Sequence, residues 1–180
     1  MALVPELVVP RLRGSFGRVY LHAEETPSTQ TMLPGDAPHG AVAVAEHQTS
    51  GRGRLGRVWV DEPGTGLAIS VVLRPPAPVV RWPELTLVAA RAVAAALGPG
   101  ATIKDPNDVL VDGRKVAGIL AEAAERVVLG IGVNVGKAPF PGAGSVQRDR
   151  LELLVDILGE LERGYDAWVI ALGADARPAE

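Results

Sequence analysis

The segment Gln48-Thr49-Ser50-Gly51-Arg52-Gly53-Arg54-Leu55-Gly56-Arg57 sets three arginines among three glycines. Glycine lets backbone approach a ligand closely and expose its N–H groups. Arginine supplies a planar fork of donors that matches a carboxylate or a phosphate. The spacing therefore suits the gathering of anions, a phosphate beside a carboxylate. A solvated basic turn, or a loop touching RNA without specificity, would carry the same residues, and the loop alone does not separate these readings. It is neither a Walker A motif nor the dinucleotide glycine fingerprint, so the usual nucleotide-fold arguments do not apply.

A second constellation is Lys104-Asp105-Pro106-Asn107-Asp108, followed by Gly113-Arg114-Lys115-Val116-Ala117-Gly118-Ile119-Leu120. Lys115 sits in an otherwise apolar strand. It is either a charge guarding a sheet edge or one aimed into a cavity at an anionic reactant. Asp108 would cap a turn or help hold magnesium that arrives with ATP. A third segment, Gly130-Ile131-Gly132-Val133-Asn134-Val135-Gly136, combines small residues able to pack over a flat ligand with one amide, Asn134. Read singly, it is a glycine-rich strand end.

Composition sharpens these choices. Of 18 basic residues only Lys104, Lys115 and Lys137 are lysines, and Asn107 and Asn134 are the chain's asparagines. Four of these five fall between positions 104 and 134, a concentration that surface filler would not show. Net charge is −3, whereas a protein living by phosphate contacts to nucleic acid carries a basic surplus. The chain has no cysteine, so neither a disulfide framework nor a thiolate metal site is available. The three histidines are scattered, and no leader-like or membrane-length apolar run is present. The expectation is a cytoplasmic protein with no nucleic-acid or membrane partner.

The elements that must position these residues follow from periodicity. Strands are predicted over residues 19–23, 40–46, 67–73, 102–104, 109–111, 115–121 and 126–133. Asp112-Gly113 is a tight-turn pair joining two of them. Leu85, Val88, Ala89, Ala92, Val93, Ala96 and Leu97 follow helical spacing and end at Gly98-Pro99; a second helix is predicted over about 149–170. Hairpin connections make the sheet mixed and largely antiparallel, with helices on one face. That is an α+β fold, read as one domain over residues 1–180.

Five motifs stand in order: Thr26-Pro27-Ser28-Thr29-Gln30, the glycine–arginine loop, Lys-x-Pro-Asn-Asp, Arg-Lys-x-x-Gly-Ile-Leu and Gly-Ile-Gly-x-Asn. In order and in gaps they resemble the catalytic domain of biotin–protein ligases, over roughly residues 18–137. The resemblance implies a class II synthetase-like fold and a two-step reaction. Biotin and ATP, with magnesium, give biotinyl-5′-AMP, and the biotinyl group passes to a lysine of the biotin carboxyl carrier protein of acetyl-CoA carboxylase. It implies catalytic roles for Lys115 and Arg54. Biotin would be bound by Ser28, Thr29, Gln30, Gln48, Gly51, Arg52, Gly53, Arg54, Lys115, Gly118, Leu120 and Gly132. ATP and the adenylate would be bound by Arg52, Arg54, Arg57, Trp59, Lys104, Asn107, Asp108 and Asn134, with Asp108 the candidate magnesium ligand.

The chain departs from the family pattern at Asp105, where relatives carry tryptophan, and at Gln30, where they usually carry asparagine. About twenty residues precede the first motif, so the N-terminal helix-turn-helix of many relatives is expected to be missing. The short tail after the last helix implies the same for their C-terminal β-barrel. Exposed sheet edges would suit a homodimer. The competing functions are a lipoate or octanoate ligase or transferase, and a catalytically weak biotin-binding regulatory protein.

Overall fold

A computed structural model describes residues 1–175. Four α-helices, α1 (Pro5–Val8), α2 (Thr29–Met32), α3 (Glu84–Leu97) and α4 (Arg150–Asp175), accompany seven strands. These are β1 (Tyr20–Thr26), β2 (Val42–Gln48), β3 (Leu67–Leu73), β4 (Ala101–Lys104), β5 (Asp108–Val111), β6 (Arg114–Ala123) and β7 (Val127–Val133). They form one sheet in the order β1-β2-β3-β7-β6-β5-β4. Only the β1–β2 pairing is parallel; the other five are antiparallel. The expected mixed, largely antiparallel α+β architecture is the one observed.

The sheet faces divide by parity. Leu67, Ile69, Val71 and Leu73 of β3 join the main core, together with Ile119 of β6, Leu129 and Ile131 of β7, α3 and α4. Alternate residues turn to the opposite face, where Val72, Ala43 and Val128 meet Leu33 and Ala37 in a smaller cluster. All seven residues of β3 are buried, which is why that strand reads as one apolar run rather than an alternation.

Each helix ends where its chemistry dictates. In α3, Leu85, Val88, Ala89, Ala92, Val93 and Ala96 are buried. Gly98, at φ +87°, closes the helix by donating its N–H to the Ala94 and Ala95 carbonyls. Asp149 opens α4, accepting from the backbone N–H groups of Leu151 (3.0 Å) and Glu152 (2.9 Å). That helix runs five residues past the predicted end at 170. No described helix is long and apolar enough to cross a membrane.

Two predictions shift. β2 starts at Val42 rather than at 40, because Gly40, at φ +78°, is a turn whose carbonyl accepts from Gly17. It then runs on to Gln48, since β1 itself extends to Thr26 and pairs Glu25 with His47 and Thr26 with Gln48. The N-terminal segment carries no periodic signal, yet Leu3, Val8 and Phe16 are buried in the core. Glu46 fastens it: one carboxylate oxygen accepts from Leu3 N–H at 2.7 Å and meets His22 Nε2 at 3.0 Å. The other oxygen lies 2.8 Å from the Arg150 guanidinium.

Candidate active site

The sheet face opposite α3 and α4 holds a cleft of about 560 Å³, within the roughly 300–1,000 Å³ typical of small-ligand sites. Its floor is flat because Gly118 of β6 pairs across the ladder with Gly132 of β7. Lys115 enters from β6, an inner strand between β7 and β5, so the sheet-edge reading of this lysine falls.

One end of the cleft is neutral and polar. Ser28, Thr29 and Gln30 are buried, as is Ser70. Buried polar groups need partners, and Thr29, Gln30 and Ser70 find theirs here. Gln48 Oε1 accepts from Thr29 N–H at 2.9 Å and from Thr29 Oγ1 at 3.2 Å, while Thr29 Oγ1 lies 2.8 Å from Ser70 Oγ. The Gln30 amide donates to the carbonyls of Leu120 (3.3 Å) and Val128 (3.5 Å), so it spans β6 and β7 beside Gly130. Asp61 steadies the Gln48 backbone, accepting its N–H at 3.2 Å. The result is a set of fixed donors and acceptors able to read a compact neutral polar group.

The other end is cationic. The 51–59 segment folds into a hairpin: Trp59 N–H donates to Gly51 O at 2.9 Å, and Gly53 N–H to Arg57 O at 2.8 Å. Gly51 is required here, since a β-carbon would stand 2.4 Å from the Trp59 carbonyl oxygen. The hairpin lies over the cleft. Arg54 donates to Asn107 Oδ1 at 2.9 Å, Arg52 pairs with Glu122 at 3.0 Å, and Trp59 places its indole on Gly132 and Gly118. Asn107 is itself clamped to β6: its carbonyl accepts from Ile119 N–H (2.8 Å) and its side-chain amide donates to Ile119 O (3.2 Å). Lys115 Nζ sits 2.7 Å from Asp108 Oδ1 and 6.0 Å from the Trp59 ring centroid.

Of the residues expected at the site, all but Gly51 line this one cleft, Arg57, Lys104, Leu120 and the departing Asp105 included. Gly51 serves the hairpin's close approach. Asn134 lines the cleft and also donates to Gly144 O at 2.9 Å, pinning the segment that follows β7. From that segment Pro139, Phe140, Gly142 and Ala143 complete the wall, and no sequence signal marked them. Ser70 was missed as well, although it is the one polar residue in the apolar run of β3. Glu122 carried no signal beyond sharing strand parity with Gly118 and Leu120. Among the described residues no cluster of three His, Cys, Asp or Glu side chains could hold a metal ion.

A mixed sheet backed by two long helices, with a cleft that is neutral and polar at one end and cationic at the other, defines a class. It is an α+β domain whose single cleft brings neutral polar groups and fixed cations together. The chain belongs to the biotin/lipoate A/B protein ligase family, whose model matches residues 22–137. It is 44% identical over 141 residues to a bifunctional ligase/repressor of Bacillus subtilis, covering 69% of this chain and 43% of that protein. It is 40% identical over 179 residues to the biotin–[acetyl-CoA-carboxylase] ligase of Mycobacterium tuberculosis, covering 85% of this chain and 67% of that one. The biotin protein ligase of Aquifex aeolicus in complex with biotin and ATP superposes with a TM-score of 0.72 at 29% identity, over 85% of this chain and 72% of that one. The fold is thus the class II synthetase-like one that the resemblance implied. The chain spans less than half the length of the two Bacillus ligase/repressors it matches, 42% and 43%.

Proposed function

We propose that this chain activates biotin with ATP and transfers it to a protein lysine. The observation that carries the reading is the cleft's make-up: one lining joins the neutral polar groups of Ser28, Thr29 and Gln48 to the cations Arg52, Arg54 and Lys115. A ureido ring needs fixed donors and acceptors, whereas a carboxylate meeting a triphosphate needs preplaced positive charge. The Mycobacterium relative is named a biotin–[acetyl-CoA-carboxylase] ligase, and the Aquifex neighbour holds biotin and ATP.

In the first step a biotin carboxylate oxygen bonds to the α-phosphorus of ATP. The bond from that phosphorus to the bridging oxygen breaks, and pyrophosphate leaves. Arg52 and Arg54 bring the carboxylate and phosphates together against their repulsion, and Lys115 holds the oxygens on which charge accumulates. Ser28, Thr29, Gln30 and Gln48 hold the ureido ring, while the Trp59 indole that lies on Gly118 and Gly132 joins Leu120 in taking the bicyclic body. Arg57, Trp59, Lys104, Asn107, Asp108 and Asn134 surround the adenylate. Magnesium would arrive with ATP and neutralise phosphate charge, and Asp108, which pairs with Lys115, is the carboxylate that would hold it. In the second step an acceptor lysine amine attacks the acyl carbon. A C–N bond forms, the C–O bond to AMP breaks, and the amine gives up a proton. The acceptor class is a biotin carboxyl carrier domain, and a cytoplasmic location goes with it.

The test incubates the protein with biotin, MgATP and a carrier domain, measuring biotinyl-AMP and carrier biotinylation separately. Both products are expected. Biotin binding without pyrophosphate release would instead make the chain a binding or regulatory protein. Displacement of labelled biotin by lipoate would make it a lipoate-type ligase.

A further inference from the structure

We infer that Ser70 is a positioning residue: its buried hydroxyl donates to Thr29 Oγ1 and so sets which way the hydrogen bonds of the cleft's neutral end run. The inference deepens the reading above and rests on it for the identity of the ligand.

Ser70 is fully buried in the middle of β3, and the other residues of that strand are all apolar. Its backbone is taken up by the ladder, where it stands between Ala43 of β2 and Gly130 of β7. A hydroxyl in such a strand costs stability unless it is bonded. Among the described residues its side-chain partner is Thr29 Oγ1, at 2.8 Å. Thr29 and Gln48 line the cleft, whereas Ser70 stands outside that lining. It therefore reaches a ligand only through Thr29.

The supply of protons fixes the direction of each bond. The Thr29 backbone N–H is a donor that cannot reverse, so the Gln48 atom it meets at 2.9 Å is the amide oxygen. Thr29 Oγ1 lies 3.2 Å from that same oxygen, which carries no hydrogen and can only accept. The one Thr29 hydroxyl proton is thus drawn to Gln48, and Ser70 supplies the proton on the Thr29–Ser70 bond. In the reverse arrangement, with Thr29 donating to Ser70, the Ser70 proton would be buried without an acceptor, the costly state for a donor. The relay runs from Ser70 to Thr29 to Gln48, through side chains that spring from β3, α2 and β2. Thr29 keeps a free lone pair, and Gln48 keeps its amide N–H groups. The cleft end then offers an acceptor beside a donor, the complement of an N–H beside a carbonyl on the edge of a cyclic urea.

The experiment is a double-mutant cycle read by biotin binding. Ser70→Ala removes one oxygen and leaves the apolar packing of β3 in place. It should raise the biotin Kd about 2–10-fold, the worth of one neutral hydrogen bond. The KM for biotin should rise with it, while kcat and the KM for MgATP hold. Ser70→Cys, a weaker donor of similar size, should fall between the two. In a Thr29→Val background, Ser70→Ala should add nothing. A wild-type Kd in Ser70→Ala would overturn the inference. So would the same loss in the Thr29→Val background, or an equal rise in the MgATP KM, since either marks a packing defect. A ligand-free arm separates this from the proposed reaction. In the proton NMR spectrum, the Thr29 hydroxyl proton should show an Overhauser contact to the Gln48 side chain, and the Ser70 hydroxyl proton one to Thr29. A Thr29 proton directed at Ser70 instead would overturn the relay. A wild-type chain that binds no biotin would defeat the proposed function and leave the hydroxyl spectrum to decide the role of Ser70.

Discussion

The indole of Trp59 lies so close over Gly132 that a β-carbon on that glycine would stand 2.3 Å from the ring. The same ring reaches Gly118, whose added β-carbon would meet Trp59 Cζ3 at 3.3 Å. Two glycines paired across adjacent strands therefore make a bed for one aromatic ring. Gly132→Ala should push the indole and its hairpin off the floor. Small-to-large changes of this kind cost about 1–3 kcal/mol, so biotin affinity should fall roughly tenfold or more. The Trp59 emission should shift while far-ultraviolet circular dichroism stays unchanged. Wild-type biotin affinity in Gly132→Ala would show that the ring position does not matter.

In the proposed reaction, Lys115 and Arg54 are the cations on which the first step depends most. Losing one preplaced charge from such a site costs ~2–4 kcal/mol of transition-state stabilisation. Lys115→Ala and Arg54→Ala should each slow biotinyl-AMP formation by about two to three orders of magnitude. The measurement is pyrophosphate release at saturating biotin and MgATP. Turnover like that of the wild type in either variant removes the role assigned to that residue.

Much of this site was legible because its chemistry demands scarce residue types at turns and strand ends. Lys115 and Asn107 stand out in a chain poor in lysine and asparagine, and Gly118 and Gly132 lie in strands where glycine is costly without a ligand or ring to accommodate. What escaped is set by pairing between distant segments. The Thr29–Ser70 contact joins residues 41 positions apart, and Arg52–Glu122 depends on how far β6 runs before turning. The parallel β1–β2 pair likewise depends on a crossover through α2, which is a four-residue helix with too little periodicity to announce itself. Leu3 is buried because Glu46 and Arg150 fasten the chain end, contacts that no local pattern encodes.

Stability should fall on acidification. Burial alone would raise the Glu46 carboxyl, but hydrogen bonds from Leu3 N–H, His22 and Arg150, with the arginine's charge, together bring it below its ordinary value. A carboxyl lowered in the folded state stabilises above its unfolded pKa, and that contribution is lost as pH falls through the folded one. His39 is lowered chiefly by burial, packed 5.3 Å from Phe16 and 4.8 Å from Tyr165 between ring centroids. The unfolded chain binds that proton first, so His39 also costs stability as pH drops below its ordinary value near 6.5. Thermal melts from pH 7 to pH 4 should show a falling Tm. Glu46→Gln should be less stable at pH 7, since Arg150 then lacks its charge partner, and its Tm should fall less steeply across the acid range. An equal slope in both proteins would exclude Glu46 as a source of the acid sensitivity.

Neutralising Asp105 should help rather than harm nucleotide binding. This residue lines the cleft beside Lys104, where the family pattern has tryptophan, and it adds a negative charge to the wall that receives the triphosphate in the proposed reaction. Like charges several ångströms apart in a partly solvated cleft repel by about 1 kcal/mol. Asp105→Asn, which keeps the size and removes the charge, should therefore lower the KM for MgATP roughly fivefold. The biotin Kd should hold, because the ureido end at Thr29 and Gln48 is built from other elements. Added salt should shrink the difference between the two proteins, as screening predicts. Steady-state kinetics with MgATP varied at saturating biotin checks this. A KM that rises in Asp105→Asn would mean that the carboxylate holds Lys104 or the incoming magnesium in place, and the repulsion argument would be wrong.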